Sequence, residues 1–312
     1  VVSQIDVHKV FGCVVPELAC RRHVTAVIPV VDKALREAGI TAEELDAVAV
    51  AHGPGLIGAL LVGLNTAKAL ALGWGKPFIG INHVEAHLYA AIMTNKDDVA
   101  FPALGVVVSG GHTYLVLVED VGVYSLIGTT VDDAIGEAFD KVAKILGLPY
   151  PGGPQIEKIA LEGDARYFDL KAGLVKGRPL DFSFSGLKTR VLYIAKGQSA
   201  SKKAPLIIRE EEKKHLAAAF QDVALKDVID KSVLALKGNN CRSVIVGGGV
   251  SNNRRFRGLF AEQALGLPVL FPPTPLTMDN AAMIAGLGYH YFRKGEFDSL
   301  SLEAETALPF FS

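Results

Sequence analysis

The 312-residue chain is short of cysteine: it has three, Cys13, Cys20 and Cys241, with no C-x-x-C spacing. That excludes a disulfide framework and a cysteine-based metal centre, and leaves reduced, buried thiols. No run of about 18 uncharged apolar residues occurs, although mean hydropathy is positive, so the longest apolar stretches read as buried strands rather than membrane spans. No signal peptide is visible, and a cytoplasmic location without membrane attachment is expected. There is no excess of positive charge either: the formal net charge is −1. A free-standing nucleic-acid binder is usually basic, so an RNA partner would have to meet a local basic patch or a companion subunit. What is present is an ordinary globular balance, half hydrophobic and about a fifth charged. The chain opens at Val1, inside what reads as an ongoing segment, so further residues are expected upstream.

Strand-like apolar runs alternate with helical patterns, which predicts an α/β architecture. Val24–Ala38 reads as a helix stopped by Gly39, and Thr41–Glu44 as a capping box. A small-residue helix is predicted from Gly58 to Leu72, and another over His83–Met93. Leu104–Val108 and Thr113–Glu119 read as a hairpin joined by Ser109-Gly110-Gly111-His112. Residues 163–206 are polar, glycine-dotted and read as irregular. Helices are expected again over Glu210–Leu236, Asn252–Leu265 and Asp279–Phe292. Two successive α/β units suggest a duplicated, two-lobed fold. The boundaries are placed at 1–103 for the first lobe, with 281–312 packing back on it, and 104–280 for the second.

His83 and His87 are four residues apart, about 40° around a helix axis, so their imidazoles share a face and form half a site for zinc or iron. The intervening Glu85 lies about 160–200° from both. That disfavours the peptidase arrangement, in which the glutamate directly follows the first histidine. Two unrelated histidines remain an open reading. Asp279 is the third candidate ligand. Aspartate before a helix is also a common N-cap, and the two roles stay open. Two histidines and a carboxylate would leave coordination positions free, as catalysis requires. The Ser109–Gly111 turn offers successive amides to an anion, or is an ordinary hairpin turn. Gly247-Gly248-Gly249, between a strand and a helix, suits a nucleotide weakly. Asp132, Asp133, Glu137 and Asp140 form an acidic segment, either solvated or holding ribose hydroxyls. Ser183–Arg190 and Arg254, Arg255 and Arg257 are mixed basic and aromatic; they suit phosphates and stacked bases, or are solvated helix faces.

These runs occur together and in one order: Gly53-Pro-Gly-Leu56, Gly58–Gly63, His83-x-Glu-x-His87, Val108–Thr113, Asp132–Ala134 with Gly136–Lys141, Leu148–Pro154, Asp181–Thr189, Gly248–Arg254 and Asp279-Asn280. In them the sequence resembles the bacterial-type tRNA N6-adenosine threonylcarbamoyltransferase family, formerly described as O-sialoglycoprotein endopeptidases. The resemblance implies a duplicated ribonuclease-H-like fold, shared with actin, heat-shock ATPases and sugar kinases, with a nucleotide in the cleft between lobes. It implies one iron or zinc ion on His83, His87 and Asp279. It also implies that Val107, Val108, Ser109, Gly110, Gly111, Asp140, Gly153 and Asn253, with help from Glu157, line a site for threonylcarbamoyl-AMP or an ATP-like ligand. The implied reaction passes the threonylcarbamoyl group to N6 of adenosine 37 in the anticodon loop of tRNAs reading codons that begin with A. His112 is a candidate base. The implied partners are tRNA, a shorter paralogous subunit and a P-loop ATPase; a homodimer stays open. Family members open with a strand and a Glu-Thr-Ser-Cys-Asp-type loop, which does not occur after Val1. The rival readings are a nucleotide-binding regulatory subunit without chemistry of its own and a small-molecule kinase of the same superfold.

Overall fold

The computed structural model describes residues 4–308 apart from 9, 12–13, 199–203 and 264. Cys13 lies outside the described residues. The chain divides into two compact units, residues 1–93 with 279–310 and residues 94–278.

In the first unit a helical turn, α1 (Ile5–His8), precedes α2 (Pro16–Ala38). Pro16 starts α2 at a position where its missing N–H costs nothing, and Gly39 ends it in the left-handed conformation. The Thr41 amide donates to Glu44 and closes the predicted capping box on a 3-10 turn. β1 (Val48–Gly53) and β2 (Phe78–Asn82) then pair in parallel around α3 (Ile57–Trp74). Leu64, Ala67 and Ala71 of α3 bury against Phe78. Among the described residues α3 is the one helix long and apolar enough to cross a membrane. It carries Lys68, whose ammonium donates to the Leu302 carbonyl at 2.5 Å. Asn82 accepts from the Val84 and Glu85 amides and starts α4 (His83–Thr94). The tail closes the unit. Asp298 bonds Phe78 through its amide and Gly80 through its carboxylate, and the Glu305 amide donates to His52. A Cβ on Gly80 would stand 2.3 Å from the Leu302 side chain, so the tail packs closely over this glycine and a larger residue would make Leu302 shift.

The second unit is built on a five-stranded sheet in the order β5-β4-β3-β6-β7. β3 (Ala103–Val108), β4 (Thr113–Asp120) and β5 (Val123–Thr129) are antiparallel neighbours; β6 (Ser243–Gly247) and β7 (Val269–Leu270) run parallel to β3. The predicted hairpin is β3–β4. Every residue of β3 and β6 is buried, as expected for strands covered on both faces. The helices are α5 (Ile135–Ile145), α6 (Gly152–Ala160), α7 (Ser185–Lys196), α8 (Lys213–Gly238) and α9 (Arg254–Glu262). One expectation fails. Residues 163–206 are not irregular throughout: they contain α7 and bury Phe182, Phe184, Leu187 and Val191 in the main core. The polar composition that suggested a loop covers the exposed side of an amphipathic helix.

The last helix, α10 (Ala281–Lys294), belongs to the first unit. Gly286 meets Tyr89 and Met93 of α4, and Gly288 meets Ala49 of β1, at distances where a Cβ would overlap.

Candidate metal centre and anion turn

In the first unit His83 and His87 project from one face of α4 toward Asp279. Their Nε2 atoms lie 3.3 and 3.2 Å from the same Asp279 oxygen, Oδ1. The rings sit edge to face with centroids 4.7 Å apart. Asp279 does not cap α10; Asn280 does, its carboxamide oxygen accepting from the Met283 amide at 2.9 Å. The carboxylate one residue earlier is left free to meet the imidazoles. The sequence leaves Asp279 open between ligand and cap; the cap falls one residue later, on an asparagine, which caps as well as aspartate.

The electrostatics suit a cation. Burial lowers the His87 pKa, opposed by its hydrogen bond to Asp279, so the ring is neutral near pH 7, as a metal ligand must be. The Asp279 side chain is largely exposed, so the desolvation opposing its charge is partial. Hydrogen bonds and attraction from the two histidines outweigh it and hold the carboxyl well below the usual carboxylate range. The three ligand atoms lie within 4.8 Å of one another, and this N, N, O set fits zinc or ferrous iron. Glu85 is turned away, as its helical position predicts. Its buried carboxylate accepts from the Tyr291 hydroxyl of α10, both oxygens at 2.8 Å. No sequence signal paired these two residues.

In the second unit the parallel strands β3 and β6 end side by side, the usual place for a ligand in such sheets. Val107 and Val108 are buried in β3, and their side chains belong to the core. The turn that follows is closed by the Ser109 amide donating to the His112 carbonyl at 2.9 Å, and by the His112 amide donating to Ser109 Oγ at 3.0 Å. The Ser109 amide is therefore committed to the turn, which leaves the exposed amides of Gly110 and Gly111 for an anion. The turn is held from behind: the Gly136 amide donates to the Ser109 carbonyl. Gly136 and Gly248 pack so closely on residues 108–110 that a Cβ would come within 2.7 and 2.4 Å of backbone oxygens. Gly110, Gly111 and Gly153 have open space where a Cβ would be. The fold needs glycine behind the turn; in front, glycine leaves room for a ligand.

Asp140, on α5, accepts from the Gly152 amide at 2.7 Å and tethers the start of α6. Burial raises its pKa, partly offset by the Gly152 and Gly153 amides. Asn253 is also engaged: its oxygen caps α9 through the Phe256 amide, and its amide donates to the buried Gln221 at 2.8 Å. Glu157 accepts from the Arg254 amide. The rest of the acidic segment is structural. Asp132 caps α7, accepting from Ser183 Oγ and from the Phe184 and Ser185 amides. Asp133 is bridged by Lys141 and Lys188, and Glu137 by Lys141. Arg255 pairs with Asp222 and Glu262, while Arg257 bonds the Ser251 and Pro272 carbonyls and stacks over Phe271.

The site and fold define a mixed α/β protein with a histidine–carboxylate cluster on one unit and a glycine turn at the end of β3 on the other. A sequence model of the TsaD family, tRNA N6-adenosine threonylcarbamoyltransferase, matches residues 1–286. The chain is 58% identical over 310 residues to the tRNA N6-adenosine threonylcarbamoyltransferase of Protochlamydia amoebophila (strain UWE25), covering 99% of this chain and 90% of that one. To the enzyme of the same name from Chlamydia felis (strain Fe/C-56) it is 51% identical, over 94% and 84%. The chain belongs to the tRNA N6-adenosine threonylcarbamoyltransferase family and is a transferase. Full-length HypF, solved in a phosphate- and nucleotide-bound form, shares its fold at 13% identity and a TM-score of 0.62, over 87% of this chain and 42% of that one.

Proposed function

We propose that this chain transfers a threonylcarbamoyl group from threonylcarbamoyl-AMP to N6 of adenosine 37 in tRNAs reading codons that begin with A. The reading rests chiefly on the His83–His87–Asp279 cluster, whose carboxylate is released from capping duty and whose buried imidazole is held neutral. The donor is a mixed anhydride, so AMP is already a good leaving group and no covalent enzyme nucleophile is needed. The amine attacks the carbonyl carbon, the new C–N bond forms, the C–O bond to AMP breaks, and the amine gives up a proton. The protein's task is to position both partners and to stabilise negative charge as it develops. The Gly110 and Gly111 amides hold the adenylate phosphate, with Asp140, Gly153, Glu157 and Asn253 framing the nucleotide end. His112 sits beside the turn, its ring against Tyr114, and is the candidate acceptor for the amine proton.

His83, His87 and Asp279 would hold one iron or zinc ion. Such an ion supplies Lewis acidity toward a carbonyl or phosphate oxygen. The adenine must leave the anticodon-loop stack, which costs less in a loop than in a duplex. We propose further that the chain works with a shorter paralogous subunit and a P-loop ATPase; its near-neutral charge supports a complex over a solitary RNA enzyme.

The test is a reconstituted transfer assay with those partners, labelled threonylcarbamoyl-AMP and unmodified tRNA. Label should reach tRNA with the wild-type chain, vanish with His83→Ala and fall sharply with His112→Ala. No label from a wild-type chain that demonstrably binds the adenylate would overturn the reading in favour of a regulatory subunit. Unchanged turnover in His112→Ala would remove that residue from the chemistry.

A further inference from the structure

The buried residues of α8 from Leu216 to Leu225 are apolar with one exception, Gln221, which is 6% exposed. An apolar side chain would pack there without the cost of taking a carboxamide out of water. Gln221 Oε1 accepts from Asn253 Nδ2 at 2.8 Å, and Asn253 is itself only 7% exposed. The cap on α9 needs the Asn253 oxygen alone, so the helix gives no reason for a polar partner behind its cap.

The backbone of Asn253 is held on both sides. Gly249–Asn252 is a 3-10 turn, and the Asn253 amide donates to the Val250 carbonyl at 3.0 Å. The next amide, of Arg254, donates to Glu157 at 2.8 Å. The side chain is clamped at both ends as well. The Phe256 amide can only donate, so it fixes Oδ1 at 3.0 Å and turns Nδ2 toward Gln221, which must then offer its oxygen. A carboxamide is planar, so these two bonds fix its plane and with it the direction of the second N–H. Among the described residues that N–H meets no acceptor, and neither does the Gln221 amide nitrogen. Both oxygens already accept, while both nitrogens can still donate. The pair therefore offers donors in the connection that leaves β6, where a sheet of this kind holds its ligand. Its chemistry suits an acceptor atom, such as a ring nitrogen or a ribose oxygen, and not an amine.

We propose that Gln221 is a positioning residue for the donor substrate: it holds the Asn253 carboxamide so that its second N–H meets an acceptor in the AMP half of the adenylate. This rests on the transferase reading above, and the experiment separates the two. Binding of threonylcarbamoyl-AMP and of AMP alone to the full chain is measured by calorimetry, with the unfolding midpoint of every variant. Gln221→Leu keeps the packing and leaves the Asn253 nitrogen unheld. It should weaken both ligands by the same factor, roughly three- to ten-fold, the worth of one neutral hydrogen bond. In the transfer assay the loss should fall on KM for the adenylate, with kcat within about two-fold. Asn253→Ser keeps a capping oxygen and removes the amide. It should weaken binding at least as much, and adding Gln221→Leu to it should cost nothing further. Ser232→Ala removes another buried hydrogen bond from α8, to the Val228 carbonyl, and should leave both affinities unchanged. Gln221→Met repeats the test if the leucine variant fails to fold. Wild-type affinity in a folded Gln221→Leu or Gln221→Met chain overturns the proposal. So do losses that simply add in the double variant, or a loss in Ser232→Ala equal to that in Gln221→Leu. A wild-type chain that binds the adenylate and transfers nothing counts against the transferase reading alone.

Discussion

Replacing Tyr291 by phenylalanine removes one hydroxyl and little volume, so no large cavity confuses the outcome. That oxygen lies 2.8 Å from both carboxylate oxygens of Glu85, a residue only 6% exposed and placed between the two histidines on α4. A hydrogen bond to a buried charge is worth about 1.5–3 kcal/mol. The hydrogen bond that Tyr291 donates to Glu85 joins α4 to α10, the helix that begins two residues after Asp279, so its loss should loosen the elements carrying all three candidate ligands. Native-state hydrogen exchange of α4 amides should quicken roughly ten- to hundred-fold, the same free energy expressed as an opening equilibrium. Affinity for added zinc or ferrous iron should fall by about the same factor, as it does when outer contacts of ligands are cut. A pH arm makes the test sharper. Burial, then the charge and hydrogen bond of Glu85, raise the Tyr291 pKa. The folded state thus keeps a proton that the unfolded chain loses above about pH 10, and stability falls as pH rises through that window. Tyr291→Phe should abolish this part of the alkaline slope. Unchanged exchange in α4 together with unchanged metal affinity would refute the reasoning.

Other outcomes follow from single contacts. Asp279→Asn should abolish stoichiometric metal uptake, measured as bound metal after gel filtration, while Asn280 keeps α10 capped and the unfolding midpoint moves little. Gly248→Ala should destabilise the second unit by about 2 kcal/mol or more: its φ of +95° suits glycine alone and its Cβ would collide with the Val108 carbonyl. Denaturant unfolding checks the stability, and adenylate binding should be lost with it. Asp132→Ala should cost about 1–3 kcal/mol by uncapping α7, read as faster exchange in that helix.

Much of this was legible one helix or strand at a time. His83 and His87 had to share a face once α4 was a helix, and Glu85 had to point elsewhere. The Ser109–His112 turn followed from two apolar runs flanking a pair of glycines, and Gly39 and Thr41–Glu44 announced their caps through local bonds. The resemblance across nearly the whole chain supplied the family, which the matches to close relatives bear out. What remained hidden depended on residues far apart in sequence. Asp279 could be read as cap or as ligand, and only the tertiary structure gave the cap to Asn280 and brought the Asp279 carboxylate to the imidazoles of α4. Glu85 and Tyr291 are separated by the whole second unit of the chain. Asp132, Asp133 and Glu137 read as a ribose-binding or solvated face until α7 folded down and engaged the first two. α7 itself was missed because its outer side is basic and its start is glycine-dotted, so its helical period was visible only against the core that buries Leu187 and Val191. The sequence by itself determined which residues could ligate, cap or turn, because those properties are set by residue type and neighbours within a turn or two. Tertiary structure decided which of them are engaged and with what, because only folding brings donors and acceptors distant in sequence within hydrogen-bonding reach.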